Sequence, residues 1–136
     1  MAAVSLSDFA AAIEKEGRKT AARPLGVRFE KDVEYGMGGG RPLTLDLFTP
    51  ETLTEHMKPA IVFFHGGGWS GGEKEQFHVQ CAYLAAKRGF AAATAAYRLS
   101  GEALFPAAVE DAKCAVRWLR SVAKERGLFS NRIAAG

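Results

Sequence analysis

A histidine, three glycines and a tryptophan stand in a row at His65–Trp69, directly after the short apolar run Ile61–Phe64. Gly71–Gly72 follows, and then a pattern typical of a helix. A glycine turn between a strand and a helix can present backbone N–H groups to a negative charge that develops on a carbonyl oxygen. Glycine also adopts positive φ and lets a carbonyl group approach closely. The motif therefore predicts that Gly67 and Gly68 donate their N–H groups to such an oxygen.

The neighbours of these two glycines fit the same chemistry. We interpret His65 as a hydrogen-bond partner that shapes the turn, and Gly66 as a residue kept small by the geometry of the turn. Trp69 is a candidate wall of the substrate pocket. The alternative is a tight connection between strand and helix that binds no ligand. The order of strand, His65, glycines, Trp69 and helix favours the anion-binding interpretation.

A serine lies beside this motif, and the segment Gly68–Gly72 matches the G-x-S-x-G pattern of a nucleophilic serine. We predict that Ser70 is not a nucleophile, because the preceding glycines already give this turn another role. The order serine, acid, histidine also requires a histidine after an acid, and none follows Asp111. His78 comes two helical turns after Ser70 and is predicted to lie on the surface of a helix.

Composition excludes several other classes of function. The chain has 136 residues, of which 48% are hydrophobic and 24% charged, as is typical of one globular domain. Its net charge of +3 is too small to argue for a nucleic acid partner. No apolar run approaches the ~20 residues of a membrane span. Charged residues interrupt the N-terminal segment where a signal peptide has an apolar core, so we expect a cytoplasmic protein. A basic helix stripe is interpreted as a solvent-exposed face: Lys113, Arg117, Arg120 and Lys124.

No cofactor and no metal are expected. The three histidines, His56, His65 and His78, do not have the spacing of metal ligands. The segment Gly36–Arg41 lacks the Lys-Ser/Thr pair of a phosphate-binding loop and precedes a strand. The two cysteines at positions 81 and 114 are too few for a disulfide framework and are predicted to pack as small apolar residues.

Two alternating segments around a glycine-rich turn predict an antiparallel hairpin. Val27–Tyr35 alternates with a slip in the middle, Gly36–Arg41 forms the turn, and the alternation resumes in Leu43–Leu47. Before the hairpin, Ser7 begins a short helix that ends at Gly17, and a linker follows. We therefore divide the chain into a helix and linker at 1–26 and one domain at 27–136.

Strands and helices alternate after the hairpin. Ile61–Phe64 is a continuous apolar run, as expected of a strand covered on both faces. A helix then ends at Gly89, a strand spans Phe90–Tyr97, a second helix begins near Pro106, and a third strand begins at Arg132. The pattern predicts an α/β fold in which the hairpin precedes a parallel β-α-β-α-β unit. The predicted core face of the second helix consists of Val109, Ala112, Val116, Leu119 and Ala123.

Two opposite charges stand near the predicted site. Arg98 leaves a parallel strand at its C-terminal end, and Asp111 lies early in the next helix. We predict that they pair and hold the intervening loop close to the substrate pocket. The alternative is two independent surface charges.

Several short segments resemble a known family when they are taken together. They are Leu45–Pro50, Pro59–Trp69 with Gly71–Lys74, Tyr97–Ser100, Phe105–Ala108 with Asp111, and Asn131–Ala134. In this order and spacing, the chain from Glu30 onward resembles the N-terminal portion of an α/β-hydrolase of the hormone-sensitive-lipase-like and feruloyl-esterase-like carboxylesterase group. The resemblance implies a partial α/β-hydrolase fold.

The same resemblance implies a serine carboxylesterase or lipase-like enzyme that hydrolyses small or medium carboxylic esters without a cofactor. Gly67 and Gly68 would form its oxyanion hole together with the residue after the serine. The serine of G-x-S-x-G is expected about three residues past Gly136, with the acid and the histidine later still. We therefore expect a chain that is truncated before its nucleophile, lacks the catalytic triad and is inactive alone.

Three alternatives stay open. The chain is a non-catalytic fragment, or it is an interaction module whose partner completes the sheet through an exposed edge. In the third alternative the complete enzyme hydrolyses amides, because amidases that resemble kynurenine formamidase use a related HGG loop. In the first two alternatives the chain itself is not an enzyme. In the third, the complete enzyme cleaves an amide bond and not an ester bond.

Overall fold

The computed structural model describes residues 7, 8, 11, 26–51 and 56–136. Ser7, Asp8 and Ala11 are helical, in the stretch where a helix is predicted. The rest of the predicted N-terminal helix and linker lies outside the described residues.

An antiparallel hairpin forms one side of the sheet, as predicted. Strand β1 spans Val27–Gly38 and pairs with β2, which spans Arg41–Pro50. Gly39 and Gly40 form the turn, with φ values of 58° and 77°. Two successive residues at positive φ give a turn whose twist matches that of the flanking strands.

The predicted hairpin turn, Gly36–Arg41, is too long. Gly36 lies within β1 at a register shift, and a Cβ there would come within 2.8 Å of Cys114 Sγ. This glycine therefore serves close packing rather than chain reversal. The predicted slip in the alternation is confirmed as a register shift between Glu30 and Val33.

The predicted alternation of strands and helices follows the hairpin. A 3₁₀ helix, not predicted from the sequence, precedes the first α-helix. The bounds are β3 Lys58–Phe64, the 3₁₀ helix Lys74–Phe77, α1 His78–Arg88, β4 Ala91–Ala95, α2 Ala107–Val122 and β5 Leu128–Ala135. As predicted, α1 ends at Gly89, which has a left-handed conformation (φ 73°).

The five strands form one mixed sheet in the order β1-β2-β4-β3-β5. β4 is antiparallel to β2 and parallel to β3, and β5 is parallel to β3. The predicted fold class is confirmed. Because β3 and β4 are parallel neighbours, their C-terminal ends meet at one edge of the sheet, where the connections to both helices begin.

The two helices cover opposite faces of the sheet. Alanines fill the central strand β4, all of whose residues are buried, so that both helices can pack closely. One core layer packs α2 against Leu43, Leu45, Leu47 and Val62, and the other packs α1 against Val27, Phe29, Phe48 and Ala92. Cys81 is buried in the second layer, and both cysteines are free thiols.

The core face of α2 differs from the prediction. Ala107, Asp111 and Ala115 are buried in place of three predicted residues, which are only half-buried: Val109, Ala112 and Val116. The predicted Leu119 and Ala123 are buried. The helix is rotated because Asp111 faces inward to a partner. The basic stripe is exposed as predicted, at Lys113, Arg117, Arg120 and Lys124.

β5 has one unpaired edge within the described part of the chain. Its N-terminal residue Leu128 is buried, whereas most residues from Asn131 to Gly136 are exposed. The strand starts earlier than the predicted Arg132, because pairing with β3 begins at Leu128 opposite Lys58.

Candidate active site

The His65–Trp69 motif lies at the C-terminal end of β3 and opens a loop that leads to the 3₁₀ helix. We call residues 65–72 the glycine loop. Gly67, Gly68 and Trp69 all have positive φ, at 132°, 63° and 67°. The carbonyl oxygen of Gly67 accepts hydrogen bonds from the N–H groups of Ser70 and Gly71, both at 3.2 Å. The loop is therefore a tight turn of left-handed residues, a conformation that Gly67 and Gly68 adopt without strain and that is uncommon for a residue with a side chain such as Trp69.

The N–H groups of Gly67 and Gly68 are the donors that the sequence predicts. Both residues are exposed, and among the described residues neither N–H donates a hydrogen bond. The N–H groups of Ser70 and Gly71, by contrast, donate to the Gly67 carbonyl oxygen. Exposed backbone donors at the end of a parallel strand can bind a negatively charged oxygen.

His65 anchors the start of the loop and is buried, with 4% of its surface exposed. Its Nδ1 lies 2.9 Å from the carbonyl oxygen of Gly66. The ring of Tyr97 stacks on the imidazole with a centroid distance of 4.5 Å, and the Tyr97 hydroxyl donates to the His65 carbonyl oxygen at 2.5 Å. No role is predicted for Tyr97; its signals in the sequence are its place at the end of the strand beside β3 and its membership of the family-like segment Tyr97–Ser100.

Trp69 stands between two cavities at the surface, with 59% of its side chain exposed. Its carbonyl oxygen accepts a hydrogen bond from the Ser100 N–H at 2.8 Å. A cavity of about 390 Å³ is lined by Gly68, Trp69, Arg98, Ser100, Ala103, Phe105, Ala108 and Val109. A second cavity of about 300 Å³ is lined by Phe64, His65, Gly66, Gly67, Gly68, Trp69 and Tyr97. The glycine loop therefore forms a wall shared by both cavities.

Arg98 and Asp111 form the predicted ion pair. The guanidinium approaches the Asp111 carboxylate through Nε at 3.0 Å and Nη2 at 2.8 Å, and the Arg98 N–H donates to the same carboxylate at 2.9 Å. Asp111 is buried, which explains its inward position on α2. The pair joins the start of the segment between β4 and α2 to α2 itself, and this segment contributes Ser100, Ala103 and Phe105 to the larger cavity.

A second arginine holds the tip of the same segment. Arg41, at the start of β2, forms a two-pronged pair with Glu102, in which Nη2 lies 2.7 Å from Oε2. Hydrogen bonds from Arg41 lower the pKa of Glu102. The segment between β4 and α2 is thus tied both to the hairpin and to its own helix.

Ser70 lies in the turn and not beside a catalytic partner. Its hydroxyl donates to the carbonyl oxygen of Gly67 at 3.3 Å. His65 is turned toward Gly66, and His78 is directed into the core. This geometry supports the prediction that Ser70 is no nucleophile.

The predicted surface position of His78 is wrong. His78 is buried, and its Nε2–H donates to Asp46 Oδ2 at 2.7 Å. Asp46 is fully buried in β2, where a carboxylate needs donors, and the first turn of α1 supplies one. Lys74 supplies another, with Nζ 2.9 Å from both carboxylate oxygens.

The charge states in this cluster follow from its hydrogen bonds. Burial raises the pKa of Asp46, but the hydrogen bonds from His78, the Asp32 N–H and Lys74 outweigh burial and lower the pKa overall. Burial lowers the pKa of Lys74, and its hydrogen bonds to Asp32 and Asp46 raise it above the ordinary value. Asp46 and Lys74 are therefore an ionised pair at neutral pH.

The described residues contain neither a metal-binding cluster nor a membrane-spanning helix. No group of three histidine, cysteine, aspartate or glutamate side chains there is placed to hold a metal ion. Of the helices in the same residues, none is both long and apolar enough to cross a membrane.

The mixed sheet, its two helix layers and the glycine loop define part of an α/β-hydrolase fold of the esterase type. A structure of esterase 2 from Thermogutta terrifontis, phosphonylated by cyclosarin, has a TM-score of 0.70 and 36% identity, covering 77% of this chain and 40% of that one. A butyrate-bound structure of that esterase has a TM-score of 0.69 and 35% identity, covering 81% of this chain and 39% of that one.

Residues 45–136 match the family BD-FAE, and the chain belongs to that family. Esterase LipI of Mycobacterium tuberculosis is 31% identical over 98 residues, which are 71% of this chain and 31% of the relative. Carboxylesterase NlhH of the same organism is 31% identical over 100 residues, which are 73% of this chain and 31% of the relative. The chain thus spans about a third of the length of these curated relatives. The predicted resemblance to this group of esterases is confirmed.

Proposed function

We propose that the chain supplies the oxyanion-binding part of a serine hydrolase that cleaves small or medium carboxylic esters. The observation that carries this proposal is the pair of exposed N–H groups at Gly67 and Gly68, which donate no hydrogen bond among the described residues. The names of the relatives, an esterase and a carboxylesterase, support the same reaction.

In the proposed mechanism a serine attacks the ester carbonyl, and the carbonyl oxygen acquires a negative charge. The N–H groups of Gly67 and Gly68 donate to that oxygen, and each such donor lowers the barrier by about 3 kcal/mol. The turn holds both groups in position before the charge develops, so no reorganisation is needed when the substrate reacts. The serine, its histidine and its acid come from polypeptide that corresponds to the other part of the relatives.

The two cavities beside Trp69 fit the two sides of an ester. An acyl group in one cavity and an alcohol group in the other would place the ester carbonyl over the shared wall, where Gly68 lies. Short acyl groups suit cavities of about 300 and 390 Å³. In this proposal the Arg98–Asp111 pair keeps Phe105 and Ala103 at the larger cavity.

Hydrolysis of a short p-nitrophenyl ester and labelling by a fluorophosphonate test the assignment of the nucleophile. We expect the 136-residue chain to show neither, because Ser70 has no catalytic partner in its turn. Turnover and labelling that are both abolished by Ser70→Ala would overturn the assignment and make the G-W-S-G-G segment a nucleophile turn.

Binding of butyrate, followed by the ¹⁵N amide signals of Gly67 and Gly68, tests the oxyanion role directly. We expect butyrate to shift both signals. Gly67→Ala should abolish the shifts, because its Cβ would meet the Gly71 carbonyl oxygen at 2.2 Å. A Cβ at Gly66 meets nothing within 4 Å, so the prediction that the geometry of the turn keeps this residue small is wrong, and Gly66→Ala is the matched control. Shifts that survive Gly67→Ala would contradict the proposal.

A further inference from the structure

Three charged or titratable side chains, Asp46, Lys74 and His78, are buried together, with Lys74 two residues after the end of the glycine loop, and the proposed reaction uses none of them. We call them the buried charge cluster. They come from three elements: β2, the 3₁₀ helix and α1. Lys74 is 7% exposed, and its Nζ lies 2.9 Å from both oxygens of a carboxylate that is itself fully buried.

Both the backbone and the side chain of Lys74 are held in place. The Thr94 hydroxyl of β4 donates to the Lys74 carbonyl oxygen at 2.6 Å, while Asp46 and Asp32 hold the side chain. Asp32 adopts a φ of 54°, which is uncommon for a residue with a side chain, at the register shift in β1. This conformation brings its N–H within 2.8 Å of Asp46 Oδ1. The register shift in β1 thus places the Asp32 N–H where it donates to the Asp46 carboxylate.

The glycine loop folds back on itself directly before Lys74. A Cβ at Gly72 would come within 2.2 Å of the Gly66 carbonyl oxygen and 2.3 Å of His65 Nδ1. A Cβ at Gly67 would likewise come within 2.2 Å of the Gly71 carbonyl oxygen. The second half of the loop, Gly71–Gly72, therefore packs against Gly66–Gly67 in the first half. Gly72 is two residues from Lys74.

We propose that Lys74 is a positioning residue for the glycine loop, acting through its ion pair with Asp46 and the packing of Gly71 and Gly72 on Gly66 and Gly67. The inference rests on the proposed oxyanion role of that loop. Lys74 touches no reacting atom. Lys74 fixes the position of Gly71 and Gly72, and these two residues fix the positions of the N–H groups of Gly67 and Gly68.

A buried ion pair suits this task because it cannot shift by small steps. An apolar side chain in the core tolerates neighbouring packings of similar energy, whereas displacement of Lys74 would take the lysine cation away from the buried Asp46 carboxylate and leave it the hydrogen bonds from His78 and the Asp32 N–H. The pair therefore selects one position of the loop return.

The test compares Lys74→Met with Arg126→Met in the full chain. Arg126 forms an ion pair with Glu30 at 2.7 Å, which also holds β1 but lies away from the loop, so it is the matched control. We expect Lys74→Met to lower the ¹⁵N order parameters of Gly67 and Gly68 from about 0.85 to below about 0.6, while Arg126→Met leaves them unchanged.

A second readout uses the Ser100 N–H, which donates to the Trp69 carbonyl oxygen at 2.8 Å. Its hydrogen exchange should become about tenfold faster in Lys74→Met, relative to amides of the central strand β4. Lys74→Arg keeps the charge and should restore part of the protection. The proposal would be overturned if hydrogen exchange at Ser100 in Lys74→Met accelerated only as much as in β4, or if the order parameters of Gly67 and Gly68 fell only as much as in Arg126→Met.

Thr94→Val keeps the test decisive if Lys74→Met does not fold. It removes only the hydroxyl that holds the Lys74 carbonyl, and it should mobilise the same two glycines to a smaller extent. Unchanged glycines in folded Thr94→Val would then overturn the proposal. None of these readouts needs an ester, so a failed positioning role is distinguishable from a failed oxyanion role, which the butyrate titration reports.

Discussion

The hairpin turn and the glycine loop both reverse the chain with glycines at positive φ, but they differ in what surrounds those glycines. A Cβ at Gly40 would meet nothing within 4 Å. A Cβ at Gly67 or Gly72 would meet backbone oxygen at 2.2 Å. The hairpin turn needs glycine for its backbone angles alone, whereas the glycine loop needs it for close approach as well. The hairpin turn, which only connects two strands, has free space around Gly40. The glycine loop, which holds the N–H donors in place, is closely packed around Gly67 and Gly72.

The ion pairs beside the two turns differ in the same way. Arg41 and Glu102, next to the hairpin turn, are both partly exposed, at 43% and 36% of their side chains. Lys74 and Asp46, next to the glycine loop, are exposed by 8% and 0%. Exposed pairs are screened by solvent, whereas loss of one partner of a buried pair leaves an uncompensated charge.

The largest expected effect is that of Asp46→Asn. This change removes the only buried counter-ion that the structure describes for Lys74 and leaves it the exposed carboxylates of Asp32 at 2.9 Å and Glu75 at 3.2 Å. It should lower the free energy of unfolding by about 3 kcal/mol. Urea denaturation measures it. A loss below about 1 kcal/mol would place this pair in the same class as exposed ones and remove the contrast between the two turns.

The same pair predicts a loss of stability in acid. The folded state lowers the pKa of Asp46, so its stabilisation is complete above the unfolded pKa of about 3.9 and is lost as the pH falls through the lower folded value. Unfolding free energies measured from pH 7 to pH 3 should therefore fall more steeply below pH ~4 in the wild type than in Asp46→Asn. Parallel curves would contradict the linkage.

Adding one methyl group to each turn isolates the effect of packing. Gly72→Ala should lower the free energy of unfolding by about 2–3 kcal/mol, because the Cβ overlaps the Gly66 carbonyl oxygen in addition to the strained φ of 101°. Gly40→Ala meets open space and should cost about 1 kcal/mol, from φ alone. Equal losses in urea denaturation would show that close approach contributes nothing.

A smaller effect is expected from Tyr97→Phe. It removes the hydroxyl that donates to the His65 carbonyl oxygen and keeps the ring that stacks on the imidazole. The carbonyl is then left without this partner in a buried position, which should lower the free energy of unfolding by about 1–2 kcal/mol. Denaturation of the variant checks this, and Tyr83→Phe, on α1 and outside the site, is the control. A loss equal to that of the control would mean that the hydroxyl does not hold the loop.

The smallest expected effect is that of Arg41→Gln. The pair with Glu102 is exposed to solvent, so its loss should change the free energy of unfolding by less than about 1 kcal/mol, and less still in high salt. Thermal denaturation at two salt concentrations measures this. A large loss that persists in high salt would show that the hairpin turn is as tightly held as the glycine loop.

Local signals explain what could be predicted from the sequence. Glycine positions and alternation marked the hairpin, and the run Ile61–Phe64 followed by three glycines marked β3 and its loop. The Arg98–Asp111 pair was found because both residues lie at the ends of neighbouring elements. Alternation also showed that Asp46 is on the face opposite Leu45 and Leu47, but it could not show that this face is buried.

The buried charge cluster had no such signal. The partners of Asp46 come 28 and 32 residues later in the chain, and only the fold brings them together. His78 is predicted at the surface because it stands beside the apolar stripe that contains Phe77 and Cys81, and nothing local shows that Asp46 lies opposite it. The N-terminal part of the α2 core face differs from the prediction for a related reason, since a charged Asp111 gives no sign of pointing inward, whereas Leu119 and Ala123 are buried as predicted.

The strand order also bears on when the glycine loop can form during synthesis. Several contacts described above lie between residues 32 and 111: Lys74 with Asp46 and Asp32, Tyr97 with His65, Ser100 with Trp69, and Arg98 with Asp111. β5 comes later in the chain and lies at the sheet edge. A nascent chain that has left the ribosome as far as α2 therefore already contains the residues that make these contacts, whereas the pairing of β3 with β5 and Gly136 follows later.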